Sequence, residues 1–274
     1  VKDFLNTATE LRSKRASTGV LFHKNFESAL MLKFAGVKRR WGRPTDSRGF
    51  LLTDKIELNE EIVKGHQVFH YIVIAEQVTG VKTGYVTPKV YLSDTDLEKA
   101  SEYIENLDHK GPLVPISAGA AYGTAKCWPP DLLSKLLKSL DDELGAHAIF
   151  LGGQSESDTA RQIINDSGVK AEVIAGQMPL LTQAAIVQNA GLCISNDSGL
   201  MHVAASLENV RVIGLFGPTK PAETAPFGDG HIVHHNAIDC WPCKHRSCPT
   251  DHLCMRSITV NDVLNSVETI LASR

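Results

Sequence analysis

No apolar run in the sequence approaches the ~20 residues that a membrane-spanning helix needs; the longest, such as 212–216, are strand-sized. Charge of either sign is not in excess. The 28 Lys and Arg stand against 31 Asp and Glu, a formal net charge of -3, so no overall basic field exists to hold nucleic acid nonspecifically. Six cysteines in 274 residues are too few for a disulfide scaffold. Internal repeats and low-complexity tracts are missing, which excludes solenoids and disordered arrays. The sequence opens at Val1, and its first residues read as neither an initiator Met nor a signal peptide. What is present, 43% hydrophobic and 22% charged residues, is the composition of a globular chain. At about 100–200 residues per domain, its length predicts two domains.

Short β-branched runs alternate with amphipathic stretches, the signature of parallel α/β layers. The pattern is clearest after Pro112. It predicts strands at 113–117, 146–151, 173–174, 192–195 and 210–216, and helices at 131–144, 155–167, 180–190, 199–207 and 260–271. Residues 217 to about 258 read as one long irregular segment. Together these make a complete doubly wound domain, 109–274. The N-terminal part, 1–108, predicts helices at 4–15, 26–34 and 61–78 and strands at 20–22 and 39–41. Residues 87–92 and a helix at 95–107 read as the hinge. A doubly wound domain opens with a strand and a functional βα turn, and none is read before the first helix, so this domain is expected to be incomplete.

Several loops at predicted strand ends carry chemistry. The segment 117–130 joins a strand to a helix. Gly119 and Gly123 permit close backbone approach to a ligand, and Lys126 adds one positive charge. It reads equally as a phosphate-binding loop or as a plain βα turn with a solvated lysine, and its spacing is not a Walker A. In 195–202, Asp197 or Ser198 caps a new helix whose free N–H groups attract an anion, with His202 in its first turns. Glu156, behind Gly152-Gly153, can bond a ribose diol or complement the helix dipole. The loop 217–228 carries Thr219, Lys220 and Glu223. Cys240, Cys243, Cys248 and Cys254 crowd one stretch, spaced by two, four and five residues, and can hold Zn²⁺ tetrahedrally, form disulfides or stay free. Lys38, Arg39 and Arg40 are either a contact for an anionic acceptor or a solvated turn, the latter being favoured.

Segments 119–129, 196–202 and 216–219, with 25–29, 35–42 and 65–68, resemble glycosyltransferase family 9, and within it the heptosyltransferases of lipopolysaccharide synthesis. The Cys-rich segment also occurs in many members. The resemblance spans essentially the whole chain. It implies a GT-B architecture: two Rossmann-like domains facing a cleft, the N-terminal one binding the acceptor and the C-terminal one the nucleotide sugar. The implied reaction is inverting transfer of heptose from ADP-heptose to the first heptose of the inner core. The implied partners are that donor and a lipopolysaccharide acceptor at the membrane surface, with no nucleic acid. The implied location is the cytoplasmic face of the inner membrane, peripherally. Implied donor contacts are Ala121, Tyr122, Lys126, Glu156, Met178, Asp197, Ser198, Gly199, Leu200 and His202. Lys126 would also stabilise the departing pyrophosphate, alongside the 198–200 amides. No divalent metal is then required, and no Asp-x-Asp metal motif is read in the sequence.

The family opens with a strand and a Gly-Asp turn whose aspartate is the expected catalytic base. No such segment precedes Val1, so the chain reads as an N-terminally truncated member lacking that base. Smaller departures are Ser117-Ala118, where relatives often have Asn-Pro, and Cys127, where a basic residue is common. Two rival readings stay open: a GT-B enzyme with another nucleotide-sugar donor, and a nonenzymatic nucleotide-sugar-binding fragment.

Overall fold

The computed structural model describes residues 2–120, 122–243 and 245–274. The chain divides into two compact units, 1–86 and 87–274. The first contains α1 (Lys2–Ser13), β1 (Thr18–Leu21), α2 (Phe26–Phe34), β2 (Arg39–Gly42), β3 (Asp54–Lys55), α3 (Glu60–Lys64) and α4 (Gln67–Thr79). Its three strands form a parallel sheet in the order β1-β2-β3. Helix α2 lies over the sheet and buries Ala29 against Leu21, Leu51 and Leu52. The single helix expected over 61–78 is two helices. Gly65 adopts an extended backbone that ends α3, and the His66 ring Nδ1 accepts the Val68 N–H at 3.2 Å to start α4. A capping side chain beats helical periodicity at that point.

The second unit contains α5 (Asp94–Glu105), β4 (Leu113–Ser117), α6 (Pro130–Leu144), β5 (His147–Phe150), α7 (Gln154–Ser167), β6 (Glu172–Val173), α8 (Leu180–Ala190), β7 (Leu192–Asn196), α9 (Gly199–Ala205), β8 (Arg211–Phe216), α10 (Pro221–Thr224), β9 (Ile232–His235), α11 (Leu253–Arg256) and α12 (Val260–Ala272). Its six strands are all parallel, in the order β6-β5-β4-β7-β8-β9. Counted from β4, that is the 3-2-1-4-5-6 order of a doubly wound nucleotide fold. Side chains alternate between two cores along each strand. Ile194, Ile213 and Leu215 face the core that includes Leu136, Ile163 and Val267. Cys193, Val212 and Phe216 face the one that includes Ala100, Ile186 and Ala204.

The unit boundary falls earlier than the 108/109 division drawn from sequence. Val90 donates its N–H to the Ser206 carbonyl at 2.9 Å, and Val90, Leu92, Tyr103 and Ile104 pack on the second core. The stretch read as a hinge therefore belongs to the second unit. Strand β9 and the short helices α10 and α11 lie inside the stretch read as irregular. Residues 232–235 pair with 213–216 of β8, at an edge where two β-branched residues suffice to make a strand. Among the described residues no helix is long and apolar enough to cross a membrane.

Candidate nucleotide-binding site

The strand order of the second unit reverses between β4 and β7, and open α/β sheets bind ligands at the carboxyl ends of such a pair. Ile116 and Ser117 of β4 stand opposite Ile194 and Ser195 of β7, so the loops that leave the two strands run side by side. Asn196 ties them together. Its Oδ1 accepts the Trp128 N–H at 3.0 Å and its Nδ2 donates to the Ala118 carbonyl at 2.6 Å. Asn196 is buried, and its place at the head of the segment 196–202 does not announce this role.

Next to that tie, Lys126 Nζ donates to Asp197 Oδ2 at 2.6 Å, and the Thr219 hydroxyl donates to the same oxygen at 2.8 Å. The Lys126 side chain is 16% exposed and that of Asp197 5%. This is a nearly buried pair with a third partner from the loop after β8. Lys126 is therefore not a freely solvated lysine. Its ammonium also lies 5.3 Å from the centroid of the exposed Tyr122 ring, within reach of a cation–π contact. Ser198 caps α9: its backbone is extended, and its hydroxyl lies 3.5 Å from the Met201 N–H and 3.3 Å from the Ser195 hydroxyl.

A cavity of about 360 Å³ opens at these strand ends. It gathers Glu156, Met178, Ser198, Gly199 and Leu200, with Ser117 and Gly119 of the first loop and Gln183 of α8. Glu156 complements the start of α7 and also faces the cavity. Its carboxylate accepts the Gly153 N–H at 2.7 Å, closing the start of α7, and it still lines the cavity. A Cβ on Gly119 would lie 2.2 Å from Glu156 Cγ, so only glycine lets the β4 loop pass there. Met178 lines the cavity and also packs on the second core. Gln183, absent from the sequence reading, closes the far wall: Oε1 accepts the Gly152 N–H at 2.8 Å and Nε2 donates to the Met178 carbonyl at 2.9 Å. His202 is exposed on α9, outside the residues lining the cavity. Ala121 lies outside the described residues.

The four clustered cysteines share one stretch and differ in exposure. Cys240 is exposed, Cys243 and Cys248 are half-buried, and α11 commits Cys254 to the core beside Gly217. Burial pushes the Cys254 thiol up, and the three neighbouring thiols add to that push. Among the described residues no three His, Cys, Asp or Glu side chains form a group able to hold a metal. As placed, the side chains of Cys240, Cys243, Cys248 and Cys254 do not make such a group. The basic run of the first unit is a structural turn. Arg39 pairs with Asp54 at 2.8 Å, and Arg40 donates to the Leu51 and Val37 carbonyls, both at 2.6 Å. An Asp-x-Asp triplet that the sequence reading passed over, 94–96, begins α5. There Asp96 accepts from the Ser93 hydroxyl at 2.5 Å and the Thr182 hydroxyl at 2.9 Å, so it is spent on capping and packing.

Among curated proteins, the chain is 25% identical over 255 residues to lipooligosaccharide heptosyltransferase 2 of Campylobacter jejuni, covering 91% of this chain and 73% of that one. To lipopolysaccharide heptosyltransferase 2 of Escherichia coli it is 28% identical over 226 residues, covering 79% and 64%. It therefore spans roughly two thirds to three quarters of their lengths. Among solved structures, it matches the ADP-heptose LPS heptosyltransferase II of E. coli with a TM-score of 0.76 at 24% identity, covering 97% of this chain and 80% of that one. A glycosyl transferase family 9 protein of Veillonella parvula gives a TM-score of 0.80 at 21% identity, covering 100% and 80%. These likenesses establish the fold. The family profile described as glycosyltransferase family 9 (heptosyltransferase) matches residues 5–254, and the chain belongs to that family.

Proposed function

We propose that the protein transfers heptose from ADP-heptose to the heptosylated inner core of lipopolysaccharide, with inversion at the transferred carbon. The observation that carries this reading is the cavity at the β4/β7 reversal, with Lys126 held beside it by Asp197. In the proposed complex the adenosine occupies that cavity, with Glu156 on the ribose and Met178 against the base. The diphosphate meets Lys126, the Ser198 hydroxyl and the first amides of α9. The bond from the anomeric carbon to the departing ADP breaks with negative charge growing on the diphosphate. Donors already in place stabilise that charge without reorganising, and a group able to do so lowers the barrier. No cofactor is called on. The acceptor is part of a membrane, so the protein works peripherally, at the cytoplasmic face of the inner membrane.

Calorimetric titration of the chain with ADP-heptose and with UDP-N-acetylglucosamine tests the donor. Binding of the first and not the second is expected; the reverse would assign a different donor and overturn the reading. ADP release in the presence of a singly heptosylated Kdo-lipid A acceptor tests the transfer. Donor binding without any turnover would make the protein a nucleotide-sugar-binding module.

A further inference from the structure

Lys126 cannot supply all the charge that a diphosphate needs, because Asp197 lies 2.6 Å from its ammonium and cancels most of its field. A second cation lies over the same aromatic ring. The Arg246 guanidinium carbon is 5.4 Å from the centroid of Tyr122, whose ring has Lys126 Nζ at 5.3 Å. Arg246 is exposed and makes no ion pair among the described residues. It comes from the Cys-rich segment, which the proposed function leaves without a role.

The approach of that segment is built into both backbones. The Arg246 carbonyl accepts the Ala125 N–H at 2.9 Å, and the His252 ring Nε2 donates to the Ala125 carbonyl at 2.7 Å. Both main-chain groups of the residue before Lys126 are thus held by the Cys-rich segment. The Thr124 and Ser247 hydroxyls add a contact at 3.3 Å. Gly123 has φ +151, and a Cβ there would lie 2.2 Å from the Arg246 carbonyl oxygen, so glycine is what lets the two loops meet. The other end of the segment reaches the same network. The Trp241 indole N–H donates to the Thr219 carbonyl at 3.0 Å, and the Thr219 hydroxyl holds Asp197.

We propose that the segment 240–254 is a clasp on the donor-binding loops: it delivers Arg246 as the second cation for the nucleotide diphosphate, and His252 is the positioning residue that holds Ala125, and with it Lys126, in place. This rests on the donor site proposed above. It gives the Cys-rich segment a catalytic purpose that does not depend on a metal at its sulfurs.

The test compares ADP with AMP, which lacks the outer phosphate, by calorimetry on the full chain at two salt concentrations. Arg246→Gln is expected to weaken ADP binding about tenfold, the scale of one charge-assisted hydrogen bond. It should leave AMP binding within about twofold, flatten the salt dependence for ADP, and be largely rescued by Arg246→Lys. His252→Ala should lower kcat for donor turnover more than it raises KM, with His252→Gln, which keeps an N–H for the Ala125 carbonyl, restoring most of it. Unchanged ADP affinity in Arg246→Gln overturns the second-cation role, and it does so even if His252→Ala fails to fold, because Arg246 is a surface residue. A His252→Ala variant that loses thermal stability but keeps both kinetic constants overturns the positioning role. Lys126→Ala run alongside separates the two ideas: if it weakens ADP binding and Arg246→Gln does not, the clasp fails and the donor site stands; if neither does, the donor site itself fails.

Discussion

Replacing Lys126 by methionine keeps the length and apolar stem of the side chain and removes only its charge. The Asp197 carboxylate, 5% exposed, would then keep the Thr219 hydroxyl as its one remaining side-chain partner among the described residues. Breaking a buried ion pair by deleting one member costs about 3–5 kcal/mol, because the other charge stays desolvated. Here the lower end applies, since Lys126 is 16% exposed and Thr219 still donates. For a unit of this size, ~1 kcal/mol moves the midpoint by roughly 2–4 °C, so the expected loss is about 6–12 °C. Asp197→Asn should cost a similar amount by stranding the ammonium. The double variant Lys126→Met with Asp197→Asn strands nothing. It should be more stable than the sum of the two losses predicts by about 1–2 kcal/mol. The assay is urea denaturation without nucleotide, followed by the fluorescence of buried Trp128 and by circular dichroism. Strict additivity of the two single variants would refute the argument, because it would mean the charges do not feel one another at 2.6 Å.

Three further outcomes follow from particular contacts. Gly119→Ala places a methyl 2.2 Å from Glu156 Cγ and should drive that carboxylate off the Gly153 N–H, costing about 1–3 kcal/mol in midpoint measurements. ADP affinity should fall with it, and unchanged affinity would detach Glu156 from the nucleotide. Asn196→Leu leaves the buried Trp128 N–H without this partner, at about 1–3 kcal/mol, and takes a bond from the half-buried Ala118 carbonyl, which costs less. The variant should melt well below the parent and lose ADP binding, whereas a parental melting curve would show that the tie between the two loops carries no weight. Burial, the largest cause in each case, holds His147, His231 and His234 below the ordinary histidine value. The unfolded chain therefore takes up protons first. Stability should fall as pH drops through about 6.5 and level off below the folded values, before Asp131 and Asp262, whose carboxyls are held low, begin to titrate. A melting temperature that stays flat between pH 7.5 and 5.5 would contradict this.

Much of the architecture was legible along the chain because its determinants are local. Leu133, Leu136, Leu137 and Leu140 recur at helical spacing, and all are buried on α6. Thr259 and Asp262 cap α12 as their order implies, with the Thr259 hydroxyl 2.6 Å from the Asp262 carboxylate. Strand β9 was missed because an edge strand needs few apolar residues, and 232–235 holds two histidines. The break at Gly65 was missed because the apolar period runs through it. Asn196 and Gln183 escaped because their partners are backbone groups of distant loops, which no side-chain pattern announces.

The α/β class, the candidate loops and the family can be read along the chain, since strand alternation, helix caps and glycine turns are short-range properties. Which groups meet at those loops is a matter of the fold. Lys126 meets Asp197 across 71 positions, and Thr219 joins them from the next strand. The Cys-rich segment reaches back 127 positions, from His252, to hold the Ala125 carbonyl. A parallel sheet brings the carboxyl ends of distant strands to one edge, so the neighbours that set charge and reach at this site are fixed by strand order, which spacing along the chain does not encode.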